Sequence, residues 1–583
     1  MASRLNLVFL WHMHQPDYRD TDGEFMLPWV LLHMLKDYTD MAAHLERHPE
    51  IRCVINFVPS LLEQIEDYRE QLRAKSYRDP LLRLLATDTL GHITAAERSY
   101  LLEACFNCNP STMIDPFPGF KRLHSIKKCL EHTSTTDPDH EAHAHPPKAS
   151  CDYLGAGYYA DLITWYFLAW SGETERQRAP ILNTLMQKGH SFDHADRMAL
   201  LNWIGETVQN LIPRYRALAE RGQIELSSTP QTHPIAPLLL DYATMREAMP
   251  EAPLPEAASY PDGAERLDEH IRLAQDSHEQ RFGSVPVGMW PAEGALCTDS
   301  VRAFSRAGVH WLASGEGVLL NSLSAAREGQ VLSEHAVFYP WRLQGTDTLL
   351  FFRNETLSDQ IGFEYAKWYG EDAAQDFCDR LDQILSGWPH ETPPLVGVML
   401  DGENAWEYFP YNGWHFFENL YTTLASNQKI QTTTFATLTQ QYAGAQAPTE
   451  IIELPRLIAG SWVHGTLSTW IGEPAKNHAW DLLTAAKQAF DENVDTLKPD
   501  DRELAEAQLL KCESSDWFWW FGDYHPAISV GSFDRLFRTN LKSLYELLGQ
   551  TPPPELDRPI CVGDQAATRI GTMQPAKLDE SVD

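Results

Sequence analysis

Short apolar runs alternate with segments of helical spacing along much of the chain. Apolar residues that recur three or four positions apart, as at Phe377, Leu381 and Leu385, predict amphipathic helices between the runs. The runs themselves have the length and composition of strands that are buried on both faces. They cover residues 5–11, 51–58, 223–227, 287–290, 310–313, 349–353 and 395–400. This β-α-β alternation predicts an α/β fold with a parallel sheet or a closed barrel.

Two long segments lack strand signals and are dominated by helical spacing. The first, residues 68–221, predicts a helical insert between the second and third strands. The second predicts a C-terminal helical domain at residues 436–560, so that the barrel domain covers residues 1–435. We expect the polar tail at residues 561–583 to be mobile.

A histidine-rich stretch interrupts the predicted insert. Residues 131–148 combine four histidines with Thr, Asp and Pro residues that do not favour a packed core, and these histidines are His132, His140, His143 and His145. The composition predicts a disordered loop. A metal site built from the histidines is the alternative.

The net charge and the cysteine content limit the kinds of binding partner and the cellular compartment that we expect. The net charge is −34, and a field of this sign repels nucleic acid and anionic membrane while leaving a neutral ligand unaffected. The apolar runs are too short for a membrane span or a signal peptide, so we expect a cytoplasmic protein without a membrane partner. The nine cysteines stand in scattered apolar contexts typical of reduced thiols. One Cys-x-x-Cys pair, Cys105 and Cys108, lacks a second pair, and we expect neither metal nor redox chemistry from it.

Two acidic residues set among aromatic residues each follow a predicted strand. Glu293 stands in Trp-Pro-Ala-Glu-Gly, and Asp401 stands in Leu-Asp-Gly-Glu-Asn-Ala-Trp. The carboxyl ends of barrel strands converge on one face, so both carboxylates are expected to share a site. Such a pair is suited to cleaving a glycosidic bond, because one carboxylate attacks or activates water while the other donates a proton. The alternative is structural, since an acid at a strand end often caps the next helix.

Five motifs in a fixed order resemble the signature regions of glycoside hydrolase family 57. They are His-Gln-Pro at 14–16, Gly-Gln-Ile-Glu-Leu at 222–226, Trp-Pro-Ala-Glu-Gly at 290–294, Leu-Asp-Gly-Glu-Asn at 400–404 and Ser-Ser-Asp-Trp-Phe-Trp-Trp at 514–520. Any one of them is a weak signal, whereas all five in order are specific. The resemblance implies an incomplete (β/α)7 TIM-like barrel that carries the catalytic residues, α-glucan or maltooligosaccharide substrates and no cofactor.

The same resemblance implies a retaining mechanism with separate roles for the two acids. Glu293 would be the nucleophile that attacks the anomeric carbon, and Asp401 would be the general acid and then the general base. This mechanism predicts carboxyl groups about 5 to 5.5 Å apart, against about 6.5 to 9.5 Å in an inverting enzyme. Glu403 is the rival acid. We expect it either to contact the substrate or to serve as a helix cap or an ion-pair partner.

Several further side chains are candidates for contacts with sugar. His12 and His14 share one face at the end of the first strand. We expect them to bind sugar hydroxyls rather than zinc, which usually takes three or four protein ligands, and His14-Gln15 lacks the aspartate of the related family 38 mannosidases. For Arg353, an ion pair that keeps Glu293 ionised and a rim pair with, for example, Asp359 are equally expected. The alternative to sugar binding is packing in the core for the tryptophans and a hydrogen bond within the core for His233. The remaining candidates are Gln15, Glu225, His233, Trp290, Trp406 and Trp517.

Within the family, the motifs most resemble those of the α-amylase and amylopullulanase members. The basis is the Trp-Phe-Trp-Trp form of the fifth motif, the 108-residue gap from Glu293 to Asp401 and the Gly-Ser-Trp segment at 460–462. We therefore expect hydrolysis of α-1,4 links, with α-1,6 links as a second target. One alternative is a 4-α-glucanotransferase or branching enzyme that uses the same residues. The other is an α-glucan-binding protein without activity.

Overall fold

A computed structural model describes residues 4–132, 154–326, 335–443, 451–522, 525 and 527–561. Most of the histidine-rich stretch and the polar tail from residue 562 lie outside these residues, so the interpretations of both segments stay predictions. No helix within the described ranges has the length and apolar content that crossing a membrane requires.

The sheet is built from short strands that follow the apolar runs closely. In the described residues they are β1 (Leu5–Met13), β2 (Cys53–Phe57), β3 (Ile224–Ser228), β4 (Gly288–Met289), β5 (Trp311–Gly315), β6 (Trp341–Leu343), β7 (Leu349–Arg353), β8 (Leu395–Asp401), β9 (Ile430–Thr432) and β10 (Ile452–Leu454). Seven parallel strands form a closed ring in the order β1-β2-β3-β4-β5-β7-β8, because β8 pairs with both β1 and β7. The predicted parallel α/β barrel is confirmed.

Side chains along each strand point alternately to the two faces of the sheet, and this separates two apolar cores. Val8 and Leu10 of β1 belong to a cluster inside the ring, whereas Leu7 and Phe9 pack in a larger cluster beneath the helices. This follows from the two-residue period of a strand, which sends successive side chains to opposite faces. The helix Phe435–Ala443 closes the interior at the amino ends of the strands. It follows β9, which pairs with the start of β1, and it adds three of its own side chains to the interior cluster.

Helices occupy the connections between strands and the C-terminal part of the chain. Those between β1 and β3 are Trp29–His33, Thr39–Arg47, Pro59–Ala74, Pro80–Ala86, Ala95–Ala104, Pro118–His132, Ala156–Ala169, Glu173–Arg178, Pro180–Lys188 and His194–Glu220. Those from β3 to β10 are Ala236–Leu240, Met245–Ala248, Gly263–Phe282, Thr298–Arg306, Glu316–Ala326, Glu355–Asp359, Gly370–Gly387, Trp414–Ser426 and Phe435–Ala443. The last are Pro474–Asn493, Pro499–Cys512, Asp516–Trp520 and Ala527–Leu547. The division into domains at residues 435 and 560 stays a prediction.

The two thiols of the Cys-x-x-Cys pair are buried. Cys105 and Cys108 are free, and burial raises the pKa of each thiol above its ordinary value. Because the thiolate is the reactive form of cysteine, this environment disfavours nucleophilic or redox chemistry at both residues.

Glu513 ties the C-terminal helices to the barrel. Its buried carboxylate accepts hydrogen bonds from Tyr260 Oη at 2.7 Å, from Arg266 Nε at 2.7 Å and Nη2 at 2.6 Å, and from His270 Nε2 at 2.8 Å. Burial opposes ionisation, but Arg266 and His270 outweigh it and lower the pKa of Glu513 to about 2. The stabilisation is therefore complete above the ordinary value of 4.5 and is lost as the pH falls toward 2.

We expect Glu513→Gln to lower the free energy of unfolding by about 3–5 kcal/mol, because it leaves the mostly buried Arg266 without its counter-charge. Urea unfolding followed by tryptophan fluorescence measures the change. Glu503→Gln, at an exposed position on the helix Pro499–Cys512, is the control and should unfold at the urea concentration of the parent protein. Equal midpoints for Glu513→Gln and the parent would contradict this account.

Candidate active site

A polar layer of inward-facing side chains lies at the carboxyl ends of the barrel strands. His12, Asn56, Ser227, Arg353 and Asp401 each occupy the last inward position of a strand, two residues beyond another inward-facing side chain. His12 Nδ1 lies 2.7 Å from Asn56 Oδ1, and Asn56 Nδ2 donates to Ser227 Oγ at 3.0 Å. The carboxyl ends of the strands thus supply convergent hydrogen-bonding groups at one face of the barrel.

Glu293 is held in a left-handed turn just after β4. Its backbone has φ 58° and ψ 21°, a conformation that costs a non-glycine residue about 1–3 kcal/mol and persists where neighbours impose it. Trp462 provides that constraint, because its backbone N–H donates to Glu293 O at 3.0 Å and its indole Nε1 donates to Glu293 Oε2 at 2.8 Å. Gly315 allows this approach, since a Cβ there would lie 2.6 Å from Trp462 Cα. The partly exposed carboxyl group is therefore positioned by tertiary contacts.

Asp401 and Glu403 lie close together but differ in exposure. Asp401 is the last residue of β8, is partly exposed and accepts a hydrogen bond at Oδ2 from Asn404 Nδ2 at 2.8 Å. Glu403 is only 2% exposed, and its Oε1 accepts from Gln15 Nε2 at 3.1 Å and from the backbone N–H of His14 at 3.4 Å. Asp401 is therefore the more accessible of the two to a substrate, and Glu403 connects the first and fourth motifs.

Burial and mutual repulsion favour protonation of these carboxyl groups. Burial, followed by the charge of Asp401, raises the pKa of Glu293 to about 8, although the hydrogen bond from Trp462 acts in the opposite direction. Burial also raises the pKa of Asp401, and burial together with the charge of Asp401 raises the pKa of Glu403 well above its ordinary value. One carboxylate beside one protonated carboxyl group is the state that acid-base chemistry at a glycosidic bond requires.

We expect kcat/KM to depend on pH as a bell-shaped curve. At low pH no carboxylate is available to attack, and at high pH no carboxyl proton remains for the leaving group. The alkaline limb should fall near the pKa of about 8 assigned to Glu293, and the acid limb should lie above 3.8, the ordinary value for Asp401. Initial rates on a chromogenic maltooligosaccharide measure the profile. Trp462→Phe should move the alkaline limb to higher pH because it removes a hydrogen bond to the carboxylate, and an unmoved limb would contradict the assignment.

Three imidazole rings lie together in the same face of the barrel. His12 Nε2 and His233 Nε2 are 3.1 Å apart, and the rings of His14 and His233 stack with centroids 3.8 Å apart. The fifth motif holds two of them, because His14 Nε2 lies 2.9 Å from Asp516 Oδ1 and His233 Nδ1 lies 2.8 Å from Ser515 Oγ. Burial, followed by the neighbouring histidines, lowers the pKa of His12 to about 3 and that of His233 well below its ordinary value. Both rings are therefore neutral at physiological pH.

The three rings present nitrogen atoms within 4.8 Å of one another, close enough to hold a metal ion. One set of tautomers satisfies two of the rings without a metal: Ser515 Oγ–H donates to His233 Nδ1, His233 Nε2–H donates to His12 Nε2, and His12 Nδ1–H donates to Asn56 Oδ1. Within the described residues, His14 Nδ1 is buried and has no hydrogen-bond partner. The His14 side chain as a whole is 11% exposed, so His14 is the member of the three that a ligand can reach.

We expect the chain to act without a bound metal, since the hydrogen-bond chain already pairs the buried nitrogens of His12 and His233. Dialysis against a chelator should leave turnover unchanged, and elemental analysis should find no stoichiometric zinc. Zinc at one equivalent per chain, with activity lost on chelation and restored by the metal, would show instead that the three histidines form a metal centre.

Arg353 pairs with the rim of the barrel. Its Nη2 donates to Asp359 Oδ1 at 2.6 Å, and its Nε donates to Met399 O at 2.9 Å. The guanidinium group lies 5.6 Å from the ring centroid of Trp462, and its charge opposes the raised pKa of Asp401. Arg353 thus combines the predicted rim pair with an electrostatic effect on the acid.

Glu225 lies near the amino end of its strand, whereas the polar layer described above lies at the carboxyl ends of the strands. It is the second residue of β3, and its carboxylate accepts from Trp311 Nε1 at 2.7 Å and from the backbone N–H of Ala436 at 2.8 Å. Glu225 therefore caps the helix that closes the barrel interior, and burial raises its pKa to about 7. The second motif covers the beginning of β3, so it contributes to the floor of the barrel.

The three predicted tryptophan platforms are fully buried. Trp290 lies beneath the site, with its ring 6.0 Å from that of His12 and 5.0 Å from that of Trp462. Trp406 and Trp517 pack among other aromatic rings, and their indole nitrogens donate to the backbone. These contacts are typical of core packing, the alternative considered for each residue.

Trp462 and Asp516 are site residues that sequence reasoning did not single out. Trp462 lies in the Gly-Ser-Trp segment at 460–462, and Asp516 lies in the fifth motif. Trp462 orients Glu293, while Asp516 binds His14 and its charge raises the pKa of both Glu293 and Asp401. The available signal for Asp516 was an acidic residue directly before a run of four aromatic residues.

Comparison with solved structures finds the same fold in enzymes of distant sequence. A branching enzyme from Thermococcus kodakaraensis has a TM-score of 0.57 at 15% identity, with 93% of this chain and 90% of that chain covered. The α-amylase AmyC from Thermotoga maritima has a TM-score of 0.54 at 12% identity, with coverage of 94% and 93%. A branching enzyme from Pyrococcus horikoshii has a TM-score of 0.54 at 16% identity, with coverage of 98% and 100%. These likenesses establish the fold alone.

Sequence comparison identifies the family. The search of curated proteins finds no match to this chain. The family model described as glycosyl hydrolase family 57 matches residues 8–455, which is most of the chain and includes both Glu293 and Asp401. The protein therefore belongs to glycosyl hydrolase family 57.

Proposed function

We propose that this protein hydrolyses α-1,4-glucosidic links in α-glucans by a retaining mechanism, with Glu293 as nucleophile and Asp401 as general acid and base. The observation that carries the proposal is the pair of partly exposed, electrostatically coupled carboxyl groups at the carboxyl ends of the strands. Membership of a family of glycoside hydrolases and transferases supports it. The convergence of residues from the first, third, fourth and fifth motifs at this face of the barrel also supports the proposal.

In this proposal, the hydrogen bonds to Glu293 and Asp401 favour a different role for each carboxyl oxygen. Trp462 occupies Oε2 of Glu293, which leaves Oε1 to form the bond to the anomeric carbon. Asn404 occupies Oδ2 of Asp401, which leaves Oδ1 to carry the proton that passes to the departing glycosidic oxygen. In the second step Asp401, now a carboxylate, removes a proton from water as the water oxygen displaces Glu293 from the sugar.

Before the first step the shared proton must lie on Asp401. In the absence of substrate, burial favours the protonated form of Glu293. A sugar in the site brings positive charge to the anomeric carbon as the bond breaks, and this charge favours the ionised form of Glu293. The repulsion between the two carboxyl groups then keeps the proton on Asp401.

The surrounding polar residues are proposed to bind the sugar at the cleavage point. His14 is the partly exposed member of the three histidines and would contact a hydroxyl group, whereas His12 and His233, whose ring nitrogens are already paired, pack against it. Gln15 and Glu403 form the layer behind them. We also propose a cytoplasmic location, which is consistent with buried free thiols such as those of Cys53, Cys297 and Cys512.

The identity of the acceptor separates hydrolysis from transfer. Incubation with maltoheptaose, amylose and pullulan, followed by analysis of product length and reducing ends, tests the proposal. Growth in reducing ends without longer products means hydrolysis, and products from pullulan add α-1,6 activity. Oligosaccharides longer than the substrate would show a glucanotransferase, and new α-1,6 branches in amylose would show a branching enzyme. Binding without turnover of any α-glucan would show an inactive binding protein.

A further inference from the structure

Exposed aromatic side chains are concentrated in one place on the surface. Among the described residues, the large aromatic side chains with substantial exposure are Phe363, Trp368, Tyr369 and Tyr411. All of them lie in the two loops that follow β7 and β8, the strands that end in Arg353 and Asp401. Tyr369 is 83% exposed and Tyr411 is 57% exposed. Clustered exposed aromatic rings of this kind mark a binding surface, whereas single ones need no explanation.

The Tyr411 ring is presented by a strained turn with a buried anchor. Tyr411 and Asn412 both have left-handed backbones, with φ of 54° and 53°. Asn412 is buried and fixes the turn, because its Oδ1 accepts from Lys36 Nζ at 2.9 Å and its Nδ2 donates to Asp40 Oδ2 at 2.9 Å. Strain that is maintained by buried polar contacts is a mark of a functional segment. The turn therefore keeps the Tyr411 side chain exposed, where a ligand can reach it.

The loop that follows β7 packs directly against the loop that follows β8. A Cβ on Gly370 would lie 2.6 Å from the backbone carbonyl of His415, so the start of helix Gly370–Gly387 touches the start of helix Trp414–Ser426. The exposed His415 ring lies 5.3 Å from the Tyr411 ring and 4.9 Å from the Trp414 ring. We call the aromatic residues at these two adjoining helix starts the aromatic platform, and they are Trp368, Tyr369, Tyr411, Trp414 and His415.

We propose that the aromatic platform is a second, non-catalytic binding site for the α-glucan chain whose cleavage is proposed above. Flat rings stack on the apolar faces of sugars, and a neutral polymer is not repelled by the net charge of −34. Tyr411 follows Asp401 by ten residues, so its Cα lies at most about 36 Å from that of Asp401. A long glucan can contact both places at once, which a short oligosaccharide cannot do, and double attachment strengthens binding of polymers only.

The test compares polymer with oligosaccharide in the full-length protein. The double variant Tyr369→Ala and Tyr411→Ala should weaken binding of soluble amylose by about tenfold or more in affinity electrophoresis and raise KM on amylose to a similar degree. Turnover of maltotriose or a chromogenic maltooside of the same length should stay at the parent level. Tyr369→Phe with Tyr411→Phe keeps the flat rings and should restore polymer binding. Leu504→Ala, at another exposed apolar position, is the control and should change nothing.

The outcomes separate this inference from the proposed function. Parent protein that cleaves amylose, with unchanged KM in the double Ala variant, overturns the platform and leaves the function intact. If the parent protein neither binds nor cleaves any α-glucan, both the platform and the proposed function are overturned. The double Ala variant could instead change the oligomeric state in size-exclusion chromatography and leave the affinity for amylose unchanged. This result would assign the rings to an interface between copies of the chain and would also overturn the proposal.

Discussion

Replacing Glu293 with Gln is expected to reduce turnover of amylose by at least about 10³-fold, the scale seen when a catalytic nucleophile is removed. The amide has nearly the shape of the carboxyl group, and its oxygen can still accept the hydrogen bond from Trp462. It cannot form a stable ester with the anomeric carbon, because an amide oxygen is a poor nucleophile. Steady-state rates of reducing-end formation measure the loss.

Binding provides the companion measurement for Glu293→Gln. The dissociation constant for maltoheptaose should stay near that of the parent protein, because the other contacts to the substrate remain. Glu453→Gln, at an exposed position on β10, is the control and should keep full activity. Turnover within tenfold of the parent would remove Glu293 from the role of nucleophile, and loss of binding together with turnover would indicate a structural defect.

Replacing Asp401 with Ala is expected to lower kcat/KM on amylose by about 10²–10⁴-fold, the usual contribution of a general acid. The loss should be much smaller for a maltosyl substrate with an activated leaving group, since such a group departs without a proton. The second step still needs a base, so the activated substrate should give a rapid burst followed by slow release of the sugar. Stopped-flow detection of the leaving group measures both phases.

Added azide distinguishes the two roles further. A small anion can enter the space left by the Asp401 side chain and attack the glycosyl-enzyme without a base, so azide should accelerate the slow phase and produce a glycosyl azide of retained α configuration. Asp401→Asn is the matched variant that fills the space and should respond less. A product of inverted configuration, or a loss equally large for activated and natural substrates, would contradict the assignment of Asp401 as acid and base.

Much of the barrel was predictable because strands buried on both faces need apolar residues at every position. Runs such as residues 395–400 therefore stand out from their helical surroundings without any knowledge of neighbours. The same reasoning placed Asp401 at the carboxyl end of a strand, and the structure has it as the last residue of β8. It misplaced Glu225, because a polar residue within an apolar run carries no mark of which end of the barrel it faces.

The aromatic residues show the limit of sequence reasoning most clearly. Trp290, Trp406 and Trp517 stand beside acidic motif residues, yet all are buried, while Tyr369 and Tyr411 stand in unremarked loops and are exposed. Adjacency along the chain does not determine which face of a ring remains open, since exposure depends on what other segments pack there. Trp462 illustrates the converse, because its contact with Glu293 spans 169 residues.

The sequence by itself determined the class of the fold and the family, and it singled out the two acids proposed to act, since these depend on local periodicity and on motifs whose order along the chain is visible. Only the tertiary structure decided which side chains orient Glu293, which carboxyl group is accessible and how three histidines share their hydrogen bonds. The physical reason is that pKa values and hydrogen bonds depend on burial and on distances between segments far apart in the chain. Those quantities arise only when the barrel closes and the fifth motif packs against its face.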